Sequence, residues 1–137
     1  MSSAFTDIQN LLEVQLNSLA LGCPIAWDNT DYTPNPTTLW VSPSLLPSNG
    51  QPAGLGPNAQ NRHDGIFQLT VYAPARDGRA LGLSTADIIA TGFKRGTTLA
   101  TGNTSVRITA VSRNPSVEDG DWFQVPVSLS YIAYADN

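Results

Sequence analysis

The sequence predicts an α+β fold, with a mainly antiparallel β-sheet, an N-terminal helix and a second helix packed on one face. Three observations carry this. Apolar residues recur at steps of three and four in two segments, they alternate strictly in several others, and the order helix, strands, helix, strands places helices on one side of a sheet. No internal repeat is visible and no linker is long enough to split the chain, so residues 1–137 are expected to form a single domain, with a core of useful size at this length.

The first element is an amphipathic helix. Phe5, Ile8, Leu12, Leu16 and Leu19 share one face, while Gln9, Glu13 and Asn17 stay on the wet side. Ser3 or Thr6 can cap it, Thr6 with Gln9 having capping-box spacing, and Gly22 followed by Pro24 stops it. Its polar face lacks the Lys and Arg of a membrane-surface helix. Pro24 to Trp27 then reads as a short strand, and 28–36 as a run of turn formers. Thr38 to Leu46 reads as a second strand, with Leu39 and Val41 alternating against Trp40 and Ser42, and Pro43 limiting its pairing.

Residues 48–62 form the least structured stretch, rich in Gly, Pro, Asn and Gln and nearly free of apolar side chains, so burial cannot offset the entropy of ordering it. Loops this long are uncommon in compact domains. Two readings stand: a loose hairpin connection, or an arm that orders on a neighbouring subunit or on another protein. His63 to Ala73 is the clearest central strand, with Phe67, Leu69 and Val71 on one face and Pro74 closing it. Arg76-Asp77-Gly78 turns into a second helix. Ser84 with Asp87 has capping-box spacing and Leu83 with Ile88 that of a hydrophobic staple; a start near Arg79 instead would place Gly82 inside the helix at about 1 kcal/mol relative to Ala. Ile89 and Phe93 face the sheet, and Gly96 after Lys94-Arg95 makes the stop.

Thr97 to Ala100 and Ser105 to Ser112 are further strands joined by Thr101-Gly102-Asn103-Thr104, with Val106, Ile108 and Ala110 alternating with Arg107, Thr109 and Val111. Residues 114–120 read as a turn. In the final strand Phe123, Val125, Val127, Leu129 and Tyr131 alternate with Gln124, Pro126, Ser128 and Ser130, and its simplest partner is the strand before it, as an antiparallel hairpin. Pro126 has no amide hydrogen, so this strand is expected at a sheet edge or bulge, or else paired on only one side at that point; the edge is the reading carried forward, with the face from Trp122 to Ser130 turned to a neighbour.

Composition narrows the function. Charged residues make up 13% of the chain against the usual quarter, which leaves a surface of Ser, Thr, Asn, Gln, Gly and Pro, or one covered by neighbouring subunits. The net charge is −4 and Lys94-Arg95 is the only adjacent basic pair apparent, so the chain lacks the basic stripe of a generic nucleic-acid binder. Cys23 is alone, which forbids an intramolecular disulfide and a four-cysteine zinc site; its simplest role is a small buried hydrophobe. No apolar run has the length of a membrane span and no signal-peptide pattern opens the chain, so a soluble protein made in a cytoplasm is expected, with no membrane partner.

Catalytic candidates are few. His63-Asp64 is the sole histidine beside a carboxylate, but neighbours on a strand point to opposite faces, so Asp64 is poorly placed to orient it. Glu118, Asp119 and Asp121 around Gly120 could supply oxygen ligands, yet lack the EF-hand spacing and more simply make a turn. Gly50 to Gly56 lacks the Lys-Ser/Thr of a phosphate loop. We expect no enzyme, no metal and no cofactor.

Asp-Gly-Asp-Trp-Phe-Gln-Val-Pro-Val-Ser at 119–128, Ile-Ala-Trp-Asp-Asn at 25–29 and His-Asp-Gly-Ile-Phe-Gln-Leu-Thr-Val at 63–71 together resemble the bacteriophage tail terminator or tail completion family, that of lambda-like tail terminators. The resemblance spans most of the chain and rests on strand-forming words. It implies a structural virion protein at the head-proximal end of the tail, made in the host bacterial cytoplasm. It further implies a homo-oligomeric ring of six subunits that caps the tail tube, stops its polymerisation and supplies the head-tail joining surface. The implied partners are other copies of itself, the tail tube protein, a head-tail connector protein and phage DNA passing through the lumen without sequence-specific binding. On this reading the interface residues are Trp27, Asp28, Arg62, Lys94, Arg95, Asp121, Trp122, Gln124 and Pro126. The alternative is a small carbohydrate- or peptide-binding module using Trp27, Trp40 and Trp122, which requires those rings to be coplanar and exposed.

Overall fold

The computed structural model describes residues 4–19, 21, 23–26, 38–47, 51–52, 61–75, 79–120 and 122–135. It is an α+β fold. Helix α1 (Ala4–Ser18) precedes strands β1 (Trp40–Pro47), β2 (Gln51–Pro52) and β3 (Asn61–Pro74). Helix α2 (Arg79–Gly92) leads to β4 (Thr98–Thr101), β5 (Thr104–Arg113), β6 (Val117–Asp119) and β7 (Trp122–Ala135). The strands pair antiparallel in the order β1-β3-β7-β5-β4, with β2 added to β3 and β6 to β7.

Strict alternation decides which face is covered. Along β7 every odd residue from Phe123 to Ala135 is buried, and Phe67, Leu69, Val71 and Ala73 of β3 and Leu39 and Val41 at β1 lie on the same face. Both helices pack there. Ile8, Leu12 and Leu16 of α1 and Ala86 and Ile89 of α2 join the strand residues, with Phe93 beyond α2, in one buried apolar cluster. Gly82 lies inside α2 after all, since the helix starts at Arg79. A Cβ there would come within 3.0 Å of the Ala73 Cβ, so the glycine that weakens the helix lets it settle close to β3. The Leu83 and Ile88 staple does not form at a helix start, and Ile88 is exposed.

The C-terminal strand departs furthest from expectation. It is not an edge: β7 lies between β3 and β5, paired with β3 over its whole length. Pro126 is tolerated because the neighbour on its other side is interrupted. β5 ends at Arg113 opposite Val127 and β6 begins at Val117 opposite Gln124, and the Pro126 carbonyl accepts a bond from the Asn114 amide (3.0 Å) within that gap. The missing amide hydrogen therefore faces the break between two strands, and the third alternative, pairing on one side at that point, is the one that holds. Pro43 follows the same logic at the true edge. Val41 bonds outward to Pro24 and Ala26, so Pro43, two residues on, turns its hydrogen-free nitrogen away from β3.

Smaller differences have similar causes. Pro24 to Ala26 makes only an isolated parallel bridge, Ile25 to Val41, rather than a strand. Residues 48–62 are not one loop: Gln51 and Pro52 pair with Arg62 and Asn61, and residues 53–60 lie outside the described residues. Residues 117–119, expected as turn, form β6, and Gly120 at φ +61° makes the reversal into β7. In β5 a bulge at Thr109 shifts the register between Ile108 and Ala110, so Ala110 is exposed and Val111 turns toward the core. Thr6 sits within α1 rather than at its cap, and Ser3 and Gly22 lie outside the described residues.

Candidate interaction surface

The face of the sheet away from the helices carries the even residues of β1, β3 and β7, and the register sorts them into three zones. At one end Trp40, Tyr72 and Trp122 meet. Trp40 and Tyr72 stack at 4.1 Å between centroids with planes 7° apart, and Trp122 stands edge-on to both at 6.0 and 6.5 Å. Gln124 pairs with Tyr72 beside them. In the middle lie Ser42, Ser44, Gln68, Thr70, Pro126 and Ser128, with Ser112 alongside, a belt without a charge. At the far end Leu46, Ile66, Ile132 and Tyr134 surround Arg62 and Asp64.

That far end is the most adhesive part of the face. Leu46, Ile66 and Tyr134 are exposed by 49%, 40% and 38%, and they sit beside a shallow hollow of about 480 Å³ lined by Leu46, Arg62, Asp64, Ile66, Ser130 and Ile132. Arg62 grips Asp64 two residues on through Nε to Oδ1 (2.9 Å) and Nη2 to Oδ2 (3.2 Å), and this hydrogen bonding, with the carboxylate's charge, holds the guanidinium pKa above its ordinary value. Asp64 is thus engaged on the open face while His63 is buried on the core face, 6% exposed. The two do not form a catalytic pair.

A separate corner is basic. Lys94 and Arg95 are exposed at the end of α2, and the following Gly96, at φ +93°, donates its amide to the Ile108 carbonyl (2.8 Å). That bond brings Arg95 to β5, where Arg95 and Arg107 line one hollow of about 420 Å³ with Gly96, Ile108 and Thr109. Arg107 was not legible as a site residue, because only the register places it there. Arg113 pairs with Asp87 of α2, and the Arg79 guanidinium lies 5.6 Å from the centre of the Phe123 ring.

The interface residues expected from the sequence are therefore divided. Trp122, Gln124, Pro126 and Arg62 share the open face, Lys94 and Arg95 occupy the basic corner, and Trp27, Asp28 and Asp121 lie outside the described residues. The coplanar tryptophan platform fails where it can be seen: Trp40 and Trp122 are 87° apart, and one face of the Trp40 ring is taken up by Tyr72. Cys23 is partly buried, and burial pushes its thiol pKa up, away from the reactive thiolate. Among the described residues no group of three His, Cys, Asp or Glu is placed to hold a metal, and no helix is long and apolar enough to cross a membrane.

No curated protein sequence matches the chain. Among solved structures, one without a descriptive name superposes with a TM-score of 0.77 at 23% identity, covering 97% of this chain and 96% of the other. A chain from the virion of a native gene transfer agent particle superposes with a TM-score of 0.59 at 20% identity over 100% of both chains. At these identities the likeness is one of fold. The sequence itself goes further: the profile of a family described as phage tail terminator protein matches residues 7–131. Spanning nearly the whole chain, from α1 to the last turns of alternation in β7, that match makes this protein a member of the phage tail terminator family.

Proposed function

We propose that the protein acts as a tail terminator in the full sense: copies close into a ring, six by family analogy, which caps the tail tube, halts its growth and offers the surface to which the head's connector joins. The observation that supports this most is the open sheet face, a broad surface with an uncharged belt between an aromatic end and an aliphatic end. Such a face leaves little to repel a partner and offers apolar groups to bury against one. Subunits that meet head to tail form a ring when the rotation closes, and a closed ring covers the last growing face of a tube. The fold shared with a chain of a gene transfer agent virion fits placement in the particle.

DNA leaving the head would thread the ring. A net charge of −4 suits a passage that does not retain it. Tails assembled without this protein should be overlong or uncapped by negative-stain microscopy, and restored by adding it back. Tails of normal length and normal joining in its absence would remove the terminator reading, whatever the oligomeric state by light scattering.

A further inference from the structure

The sheet has two unlike edges. Among the described residues nothing pairs with the outer side of β4, and β1 meets only the bridge from Pro24 to Ala26 on its outer side. At β4 the Ile108 amide bonds to the Thr97 carbonyl, so by alternation Leu99 and Thr101 bond to β5, while the amides and carbonyls of Thr98 and Ala100 point outward. This edge, Thr-Leu-Ala-Thr, carries neither the charge nor the proline that commonly guards one. Along β1, Val41 bonds outward, and so by the same alternation Pro43, Leu45 and Pro47 point outward too. The two prolines keep their carbonyls but have no amide hydrogen, so beyond the bridge this edge donates only at Leu45.

We infer that the outer edge of β4 receives residues 43–47 of β1 from a second copy of this chain as a parallel strand, so that the sheet runs on from one subunit to the next around the ring. The inference rests on the ring reading above and names its contact. Strand direction favours this occupant first. Every pairing from β1 through β3, β7 and β5 to β4 is antiparallel, so the two edge strands point the same way, and a copy rotated about an axis near the strand direction meets its neighbour in parallel, head to tail. The polar groups then match. With Leu45 opposite Leu99, the Thr98 amide donates to the Pro43 carbonyl, the Leu45 amide to the Thr98 carbonyl and the Ala100 amide to the Leu45 carbonyl. Within that span no proline is asked for a hydrogen: Pro43 opens the ladder and Pro47 closes it. Packing agrees as well, since Leu45 and Leu99 are both half-buried at opposite rims of the same core, and this register lays one against the other. Neither edge builds a ring with itself: two copies of β1 would share only the Leu45 donors, and two copies of β4 would stop at a dimer.

Cross-linking tests it. In this register Leu46 faces Ala100 on the open side of the sheet, both are exposed, and strands about 4.8 Å apart bring such a pair within disulfide reach. A Leu46→Cys/Ala100→Cys variant, in a Cys23→Ser background that removes the native thiol, is oxidised mildly as free protein and on capped tubes. A non-reducing gel should show covalent multimers up to the size of the ring, whereas the two single variants mixed should stop at a dimer. Separately, Ala100→Pro removes an outward amide that β5 does not use, so the melting temperature should stay close to the wild type. The protein concentration needed for assembly, read by light scattering and by capped tube ends in negative stain, should rise at least about tenfold. If that proline unfolds the chain, the cysteine pair decides alone. Wild type that forms rings or caps while the double variant gives no cross-link, or an Ala100→Pro variant that assembles like wild type, overturns the contact and leaves the ring standing. Ala100→Cys alone dimerising as readily as the mixture would make β4 an isologous edge, and the inference is then wrong. Wild type that neither oligomerises nor caps tubes overturns the ring and the contact with it.

Discussion

Gly65 and Tyr131 face each other across β3 and β7, and the phenol fills the space a side chain at 65 would need, its hydroxyl 2.5 Å from where a Cβ would stand. Burial, with a smaller effect from the Asp64 charge, pushes the Tyr131 pKa above its ordinary value of 10.0. The sign follows directly. Between the unfolded and folded pKa values the native state holds a proton that the unfolded chain has lost, so the stabilisation is complete below about pH 10 and drains away as pH rises toward the folded value. Urea midpoints should be flat from neutral pH up to that point and then fall, and Tyr131→Phe should flatten the fall. An equal decline in the variant would assign it to other groups. None of this was visible in the sequence, where Tyr131 read only as another inward residue, because the partner across a strand is set by register and not by spacing along the chain.

At the scale of elements, alternation and helical period were legible and pairing was not. The buried faces of α1, β3 and β7 follow the residues named from period alone, since a half-buried element advertises its inner face in its own composition. Pro126 shows the limit. A proline tells which hydrogen bond is missing, but a central strand can carry one when its neighbour is broken at the same level, and the break at 114–116 reads as an ordinary turn. The Thr109 bulge is hidden for the same reason: Val106 to Val111 alternates well enough in either phase. The β2 and β3 stem makes a prediction at this scale. Because Pro52 pairs with Asn61, replacing residues 53–60 by Asn-Gly closes the hairpin with a two-residue turn and should change the unfolding free energy by less than about 1 kcal/mol. If the segment is an arm used in assembly, tail completion should drop although the melting temperature holds. Full completion with the short turn would reduce it to a connection.

Across the whole molecule, one face of the sheet is closed by helices and the other is left open. The division is already implied by a chain with 13% charged residues, but which residues share the open face depended on the strand order, and the basic corner required Gly96 to join β5. Gln68, in the middle of the uncharged belt, tests what that face is for. Gln68→Lys adds one charge to a half-buried surface position and should leave the monomer within about 1 kcal/mol of wild type. In an assembly that covers the belt it would strand an unpaired cation, so capped tails should become rare; unchanged capping would mean the belt stays wet. The central place of β7 has a further consequence, in time rather than space. β3 and β5 are not neighbours until β7 inserts between them, and β7 follows both in the chain. The pairs of β3 with β7, from Pro74–Trp122 to Asn61–Ala135, close the longest loops in the sheet, so its centre is expected to form after the local pairs of β4 with β5 and β6 with β7. The open face is thus complete only once β7 has joined β3, and on the terminator reading proposed above a partly folded subunit would have no finished surface to offer a tube.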